Sequence, residues 1–326
     1  MINYSPNYKY IGFGVIVVSI ITSQIIKYLN EKETFDKINK NYKSLDDASN
    51  ILINQLYIYP DNMSRSYTSK KRKKVLLLIS GFRDTPKMWI KLENFLQSNN
   101  IDYVIPRING FGRSKFQFNT YWQDWVLSIM EEVSILQNMY DEINILGFST
   151  GCNIALYISQ FNWNCKINNL ILTAPNLVVN KGDSIYKSIL SSTILSNLVL
   201  LFYPICHRPY ESRVEKKNDN KKSNLKYNIF YEKYFPVYSA IEMWKLQDIL
   251  PKKFMGKYIT IIKANNDRVI GDINEQNKFL QDLYHININI KCVPSSDKLG
   301  FKVGHNIFNS HHIVISDFYD QIKNLI

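Results

Sequence analysis

Residues Gly147-Phe148-Ser149-Thr150-Gly151 form a G-x-S-x-G pentad between an apolar, strand-like run, Ile143 to Leu146, and a helix-like run, Asn153 to Ser159. Strand before and helix after leave the pentad one geometry. It is a strained strand-to-helix turn, admitted by the glycines, that raises one hydroxyl off the end of a sheet. Ser149 is therefore the candidate nucleophile. A serine hydroxyl is a poor nucleophile by itself, so the chemistry requires a base to take its proton and an acid to orient that base.

Around such an elbow the partners follow in the order Ser, then Asp or Glu, then His. Downstream, the β-rich run Tyr258 to Lys263 leads into Ala264-Asn265-Asn266-Asp267-Arg268-Val269, which puts Asp267 in the loop after a strand. Asp267 is the candidate acid, with Asp272 nearby as a substitute. A second β-like run, Ile286 to Val293, leads to Gly304-His305-Asn306, and Ile307 to Ile326 then reads as a closing helix. His305 is the candidate base. His207, His285, His311 and His312 lie in an insert, at a strand entrance and within the last helix, where structural roles fit them better.

From Lys74 to Ile326 this arrangement resembles an α/β-hydrolase, nearest the carboxylesterase and monoacylglycerol-lipase branch of the serine hydrolases. The resemblance implies an α/β fold with a mostly parallel central sheet flanked by helices and a helical cap insertion. It also implies cleavage of carboxylic esters through Ser149, His305 and Asp267 and an acyl-enzyme intermediate. The backbone N–H after the nucleophile, that of Thr150, is one oxyanion donor. The strand Val75 to Ile79 ends in Ser80-Gly81-Phe82, which resembles the family's His-Gly-Phe turn, so Phe82 is implied as the second donor.

Ser80 stands where the family usually has His. Because the donors are main-chain groups, that change should alter loop support more than chemistry; a lost donor typically costs about 100- to 1,000-fold in rate. Cys152 replaces a residue that is often Gly and is expected to pack under the elbow. Asn109-Gly110-Phe111-Gly112-Arg113-Ser114 resembles the family's Gly-His-Gly-x-Ser loop without its His; it either lines the pocket or merely closes a βα connection. A serine nucleophile disfavours epoxide hydrolases and haloalkane dehalogenases, which place a carboxylate at the elbow. A thioesterase or amidase would use the same residues, and a non-catalytic, membrane-tethered binding relative is the reading from a different class.

Roughly eighty residues separate the strand Leu170 to Thr173 from that at Tyr258, too many for one βα connection. The expected organisation is a hydrophobic segment over 1–29, a connecting amphipathic helix over 30–57, a hydrolase core over 58–174 and 251–326, and a cap over 175–250. Within the cap, Ile185 to Tyr203 is strongly apolar and suits either an acyl chain or packing on the core, and Glu215 to Lys226 is a lysine- and asparagine-rich loop.

The four cysteines show no C-x-x-C spacing and no pairing with histidine at metal-ligand distances, so neither zinc nor a redox motif is indicated; no metal and no organic cofactor is implied. The net charge of +12 is spread along the chain apart from Lys70-Lys71-Arg72-Lys73-Lys74, so no nucleic-acid partner is expected. Tyr10 to Ile26 carries no charge and is rich in Ile and Val. As a helix it would cover about 25 Å, short against a hydrocarbon core of roughly 30 Å. A membrane anchor, a cleaved signal peptide and a packed helix are its three readings, and the first is favoured. Lys27, Lys32, Lys37 and Lys40 follow the segment while Lys9 alone precedes it, which would put the catalytic domain in the cytoplasm; a secreted or soluble cytoplasmic protein is the alternative. The expected ligand is a small-molecule or lipid ester.

Overall fold

The computed structural model describes residues 64–68, 73–82, 84–111, 121–178, 184, 187–188, 207–209, 234–250, 253–264, 267, 273–284, 288–293, 305, 307–309, 319–320 and 322–326. The expectations for 1–29 and 30–57, for Ile185 to Tyr203 apart from 187–188, and for Asp272 lie outside them.

The described chain runs β1 (Arg65–Tyr67), β2 (Lys74–Ile79), α1 (Ile90–Ser98), β3 (Tyr103–Ile105), α2 (Trp122–Leu136), β4 (Glu142–Phe148), α3 (Thr150–Ile158) and β5 (Lys166–Thr173). It continues through β6 (His207–Pro209), β7 (Tyr234–Pro236), α4 (Val237–Asp248), β8 (Tyr258–Ala264), α5 (Ile273–Tyr284) and β9 (Ile288–Val293). Seven strands form one sheet in the order β1-β3-β2-β4-β5-β8-β9. All its pairings are parallel except that of the edge strand β1 with β3.

A parallel sheet must be covered on both faces, because each strand buries both sets of alternating side chains. In β2, Val75, Leu77 and Ile79 turn to one face and pack with Trp125, Ile129 and Val133 of α2 and with Ile154 and Ile158 of α3. Leu76 and Leu78 turn to the other and pack with Trp89, Leu92 and Leu96 around α1 and with Ile322 near the C-terminus. In α5, Gln276, Leu280 and Tyr284 are buried at helical spacing.

The chain leaves β2 for β3 on one side and then returns to β4 on the other, so the order reverses between β2 and β4. Crevices for ligands open at the carboxyl ends of strands at such a reversal. The turn after β2 and the pentad after β4 flank this one.

Two elements differ from the sequence expectation. Ile307–Asn309 is a 3-10 turn, where the start of the closing helix was expected, and Phe308 packs there on Trp89 with ring centroids 4.4 Å apart; residues 319–320 and 322–323 are helical, and 310–318 and 321 lie outside the described residues. Between β5 and β8, where a helical cap was expected, the described residues include the antiparallel pair β6–β7, besides α4, whose Leu246 together with the following Leu250 joins the core. No described helix is long and apolar enough to cross a membrane; Tyr10 to Ile26 is outside the described residues.

Candidate active site

At the end of β4 the chain reverses within one residue. Ser149 has φ 52° and ψ −118°, a conformation few L-residues adopt, and α3 starts at Thr150, three residues earlier than the sequence run suggested. The flanking glycines permit it by lacking side chains. A Cβ on Gly147 would lie 2.8 Å from both N and Cα of Cys152, and one on Gly151 would overlap the carbonyl oxygens of Ile79 and Ser80, the latter at 2.5 Å. The elbow is thus pressed against the end of β2.

Its main chain is tied down. Ser149 N–H donates to Thr173 O at 3.0 Å, and Ser149 O accepts from Cys152 N–H at 3.0 Å. Cys152 packs beneath, fully buried, with its thiol directed at Gly147 O at 3.2 Å; burial raises its pKa well above the usual thiol range and keeps it neutral.

Asp267 and His305, 38 positions apart, come together: His305 Nδ1 lies 2.7 Å from Asp267 Oδ2. The carboxylate side chain has 0% exposure and the imidazole 18%, which leaves only the ring reachable from outside. An ionised carboxylate can only accept, so in the tautomer that satisfies this contact Nδ1 carries the hydrogen and Nε2 is left as the acceptor. The ring lies 5.0 Å from that of Phe148, the residue before Ser149. This brings His305 to the elbow. Among the described residues no hydrogen bond joins the Ser149 hydroxyl to His305.

Thr150 is the first residue of α3, so its N–H has no intrahelical acceptor. Phe82 lies in the turn after β2, where Asp84 N–H donates to Gly81 O at 3.0 Å. The Phe82 ring meets Phe111 edge-on at 6.1 Å and Trp125 at 6.0 Å, so the loop after β3 and the helix α2 brace this turn. Phe111 is buried there, and 112–114 fall outside the described residues. Ser80 accepts a buried hydrogen bond of 3.0 Å from Trp89 Nε1. That bond anchors the turn from below, and nothing in the sequence pattern signalled it. Among the described residues no group of His, Cys, Asp and Glu side chains could hold a metal ion.

The profile of the α/β-hydrolase fold family matches residues 74–195. The chain has the α/β-hydrolase fold. Among solved structures the hydrolase fold here is similar to that of a metagenome-derived lipolytic enzyme (LipS or LipT), with TM-score 0.59, 13% identity and coverage of 82% of this chain and 98% of that one. It is also similar to a soluble variant of monoglyceride lipase from Saccharomyces cerevisiae in complex with a substrate analogue (TM-score 0.57, 15% identity, 80% and 89% covered). A third is the monoacylglycerol lipase of Paleococcus ferrophilus (TM-score 0.58, 11% identity, 80% and 96% covered). No curated protein matches the sequence.

Within the hydrolase fold, Ser149, Thr150 and Phe82 stand on the turns that flank the β2–β4 reversal, and the Asp267–His305 pair follows β8 and β9 in the chain. The Asp267–His305 pair lies against Phe148, the residue before the raised Ser149, and Thr150 opens the helix that follows.

Proposed function

We propose that the protein is a serine hydrolase that cleaves carboxylic esters, with Ser149 as nucleophile, His305 as general base and Asp267 as the group that orients it. The observation that carries the reading is the 2.7 Å contact between Asp267 and His305 beside a strained serine elbow. Nε2 of His305 takes the Ser149 proton as the oxygen attacks the ester carbonyl, and Asp267 stabilises the imidazolium. The Thr150 and Phe82 amides receive the oxyanion. The protonated imidazole then delivers its proton to the leaving alkoxide, and water, activated by the same nitrogen, releases the acid from the acyl-enzyme.

The lipolytic enzymes that share the fold favour an ester with an acyl or alkyl chain, such as a monoacylglycerol, over an amide or thioester, which the same residues would also attack. His305→Ala is expected to lower turnover of p-nitrophenyl esters by at least about a thousandfold with the circular dichroism spectrum unchanged. Retention of more than a few per cent of activity contradicts the role of His305. A series of esters of increasing chain length, followed by monoacylglycerols, reads the acyl preference.

The charge-free run Tyr10 to Ile26 supports a second part of the proposal, attachment to a membrane with the catalytic domain in the cytoplasm. Deleting residues 1–29 should release an active protein into the soluble fraction. Full-length protein found wholly in that fraction contradicts the attachment.

A further inference from the structure

A non-glycine residue at positive φ persists only where its surroundings over-determine it. Besides the bond from Cys152, the carbonyl oxygen of Ser149 accepts the N–H of Asn176 at 3.4 Å. Asn176 begins the insertion that follows β5, and amide side chains from three helices fasten this segment. Asn153 of α3 donates Nδ2 to Asn176 O at 3.0 Å. Gln247 of α4 donates Nε2 to the same oxygen at 2.8 Å and to Asn176 Oδ1 at 3.0 Å. Gln276 of α5 accepts the N–H groups of Leu177 and Val178 on Oε1 at 3.0 and 3.1 Å. Asn176 therefore touches the main chain of Ser149 on one side and the last helix of the insertion on the other.

We infer that Asn176 and Gln247 are positioning residues: they clamp the outgoing and returning ends of the insertion together and, through the Asn176 N–H, hold Ser149 at its reactive height. The inference rests on the proposed role of Ser149. Packing alone does not require an amide here. Gln247 is buried, its Oε1 has no hydrogen-bond partner among the described residues, and an unbranched apolar side chain would fill the same volume without that penalty. What the amide adds is its donor, shared between the two oxygens of Asn176. Displacement of α4 would then reach the nucleophile through one residue.

The test is the rate constant for inactivation by a small fluorophosphonate, per folded molecule, in wild type, Gln247→Met, Asn176→Ala and the core control Ile129→Val. Both amide variants are expected to react about tenfold more slowly, since small misplacements of a reacting group have effects of this order and larger. Their kcat for a short p-nitrophenyl ester should fall with little change in KM. Ile129→Val should keep the wild-type rate even though its Tm falls. Wild-type rate constants in the amide variants, whatever their Tm, overturn the inference; if one of them fails to fold, the other decides. A wild type that does not react at all sinks the reading of Ser149 and this inference with it, a separate result.

Discussion

At the amino ends of β2, β4 and β5 the sheet meets solvent through lysines and carboxylates: Lys73 and Asp141 lie 3.7 Å apart, Lys74 and Glu142 3.3 Å, and Lys166 and Glu142 3.9 Å. At the carboxyl ends of the same strands Ser80, Ser149 and Thr173 are buried, and neighbouring backbones are in contact. One end consists of ion pairs in which the lysines are at least half exposed, each pairing worth about 0–1 kcal/mol. The other consists of contacts with no slack. Substitutions should therefore be tolerated at the first and punished at the second, although both cap the same three strands.

Four variants put that contrast to the test. Asp267→Asn is expected to lower kcat by about 10⁴-fold, because the amide would favour the wrong imidazole tautomer; a fall of less than tenfold would separate Asp267 from the chemistry. Gly151→Ala is expected to cost about 3 kcal/mol or more in urea unfolding, since its methyl overlaps the end of β2. Measured stability within 0.5 kcal/mol of wild type, taken as about the noise of a surface change, would show that the elbow has slack after all.

The amino ends also hold a buried hydrogen bond. Tyr140, just before β4, donates its hydroxyl to Asp102 Oδ2 at 3.1 Å, and burial, with help from that hydrogen bond and the Asp102 charge, pushes its pKa up to about 12. The folded state then retains a proton that the unfolded chain releases near pH 10. This contribution to stability is complete below about pH 10 and is lost as pH rises through about 12. Denaturant midpoints measured across that window should decline, and Tyr140→Phe should decline less steeply; identical slopes would contradict the assignment. The smallest effect is expected from Lys74→Ala, within about 0.5 kcal/mol of wild type, and a larger loss in urea would mean that the amino ends are not a passive rim.

The same contrast explains what could be read before any coordinates. Six of the sheet strands announce themselves as apolar or β-rich runs, β3 through the run Asp102 to Ile105, and the elbow does so because glycine on both sides of a serine has few other uses. Asp267 and His305 were legible as turns after strands. The strands β1, β6 and β7 were not: three residues show no period of two, and unlike β3 their Arg65, His207, Arg208 and the prolines at 209 and 236 interrupt any apolar run. Phe308 read as helix because its apolarity carries no record of the Trp89 and Phe148 rings it meets. The Ser80–Trp89 bond and the amides around Asn176 were invisible for a different reason. Asn and Gln have no periodic signature, and Gln247 and Gln276 reach the insertion's first residues across 71 to 99 positions of chain.

In the proposed mechanism the Ser149 hydroxyl is made reactive by an imidazole that Asp267 holds. Treatment with a fluorophosphonate followed by peptide mapping is the decisive measurement. One adduct, on Ser149, is expected in the wild type and none in Ser149→Ala. An adduct on another residue, or equal labelling of the two proteins, would contradict it.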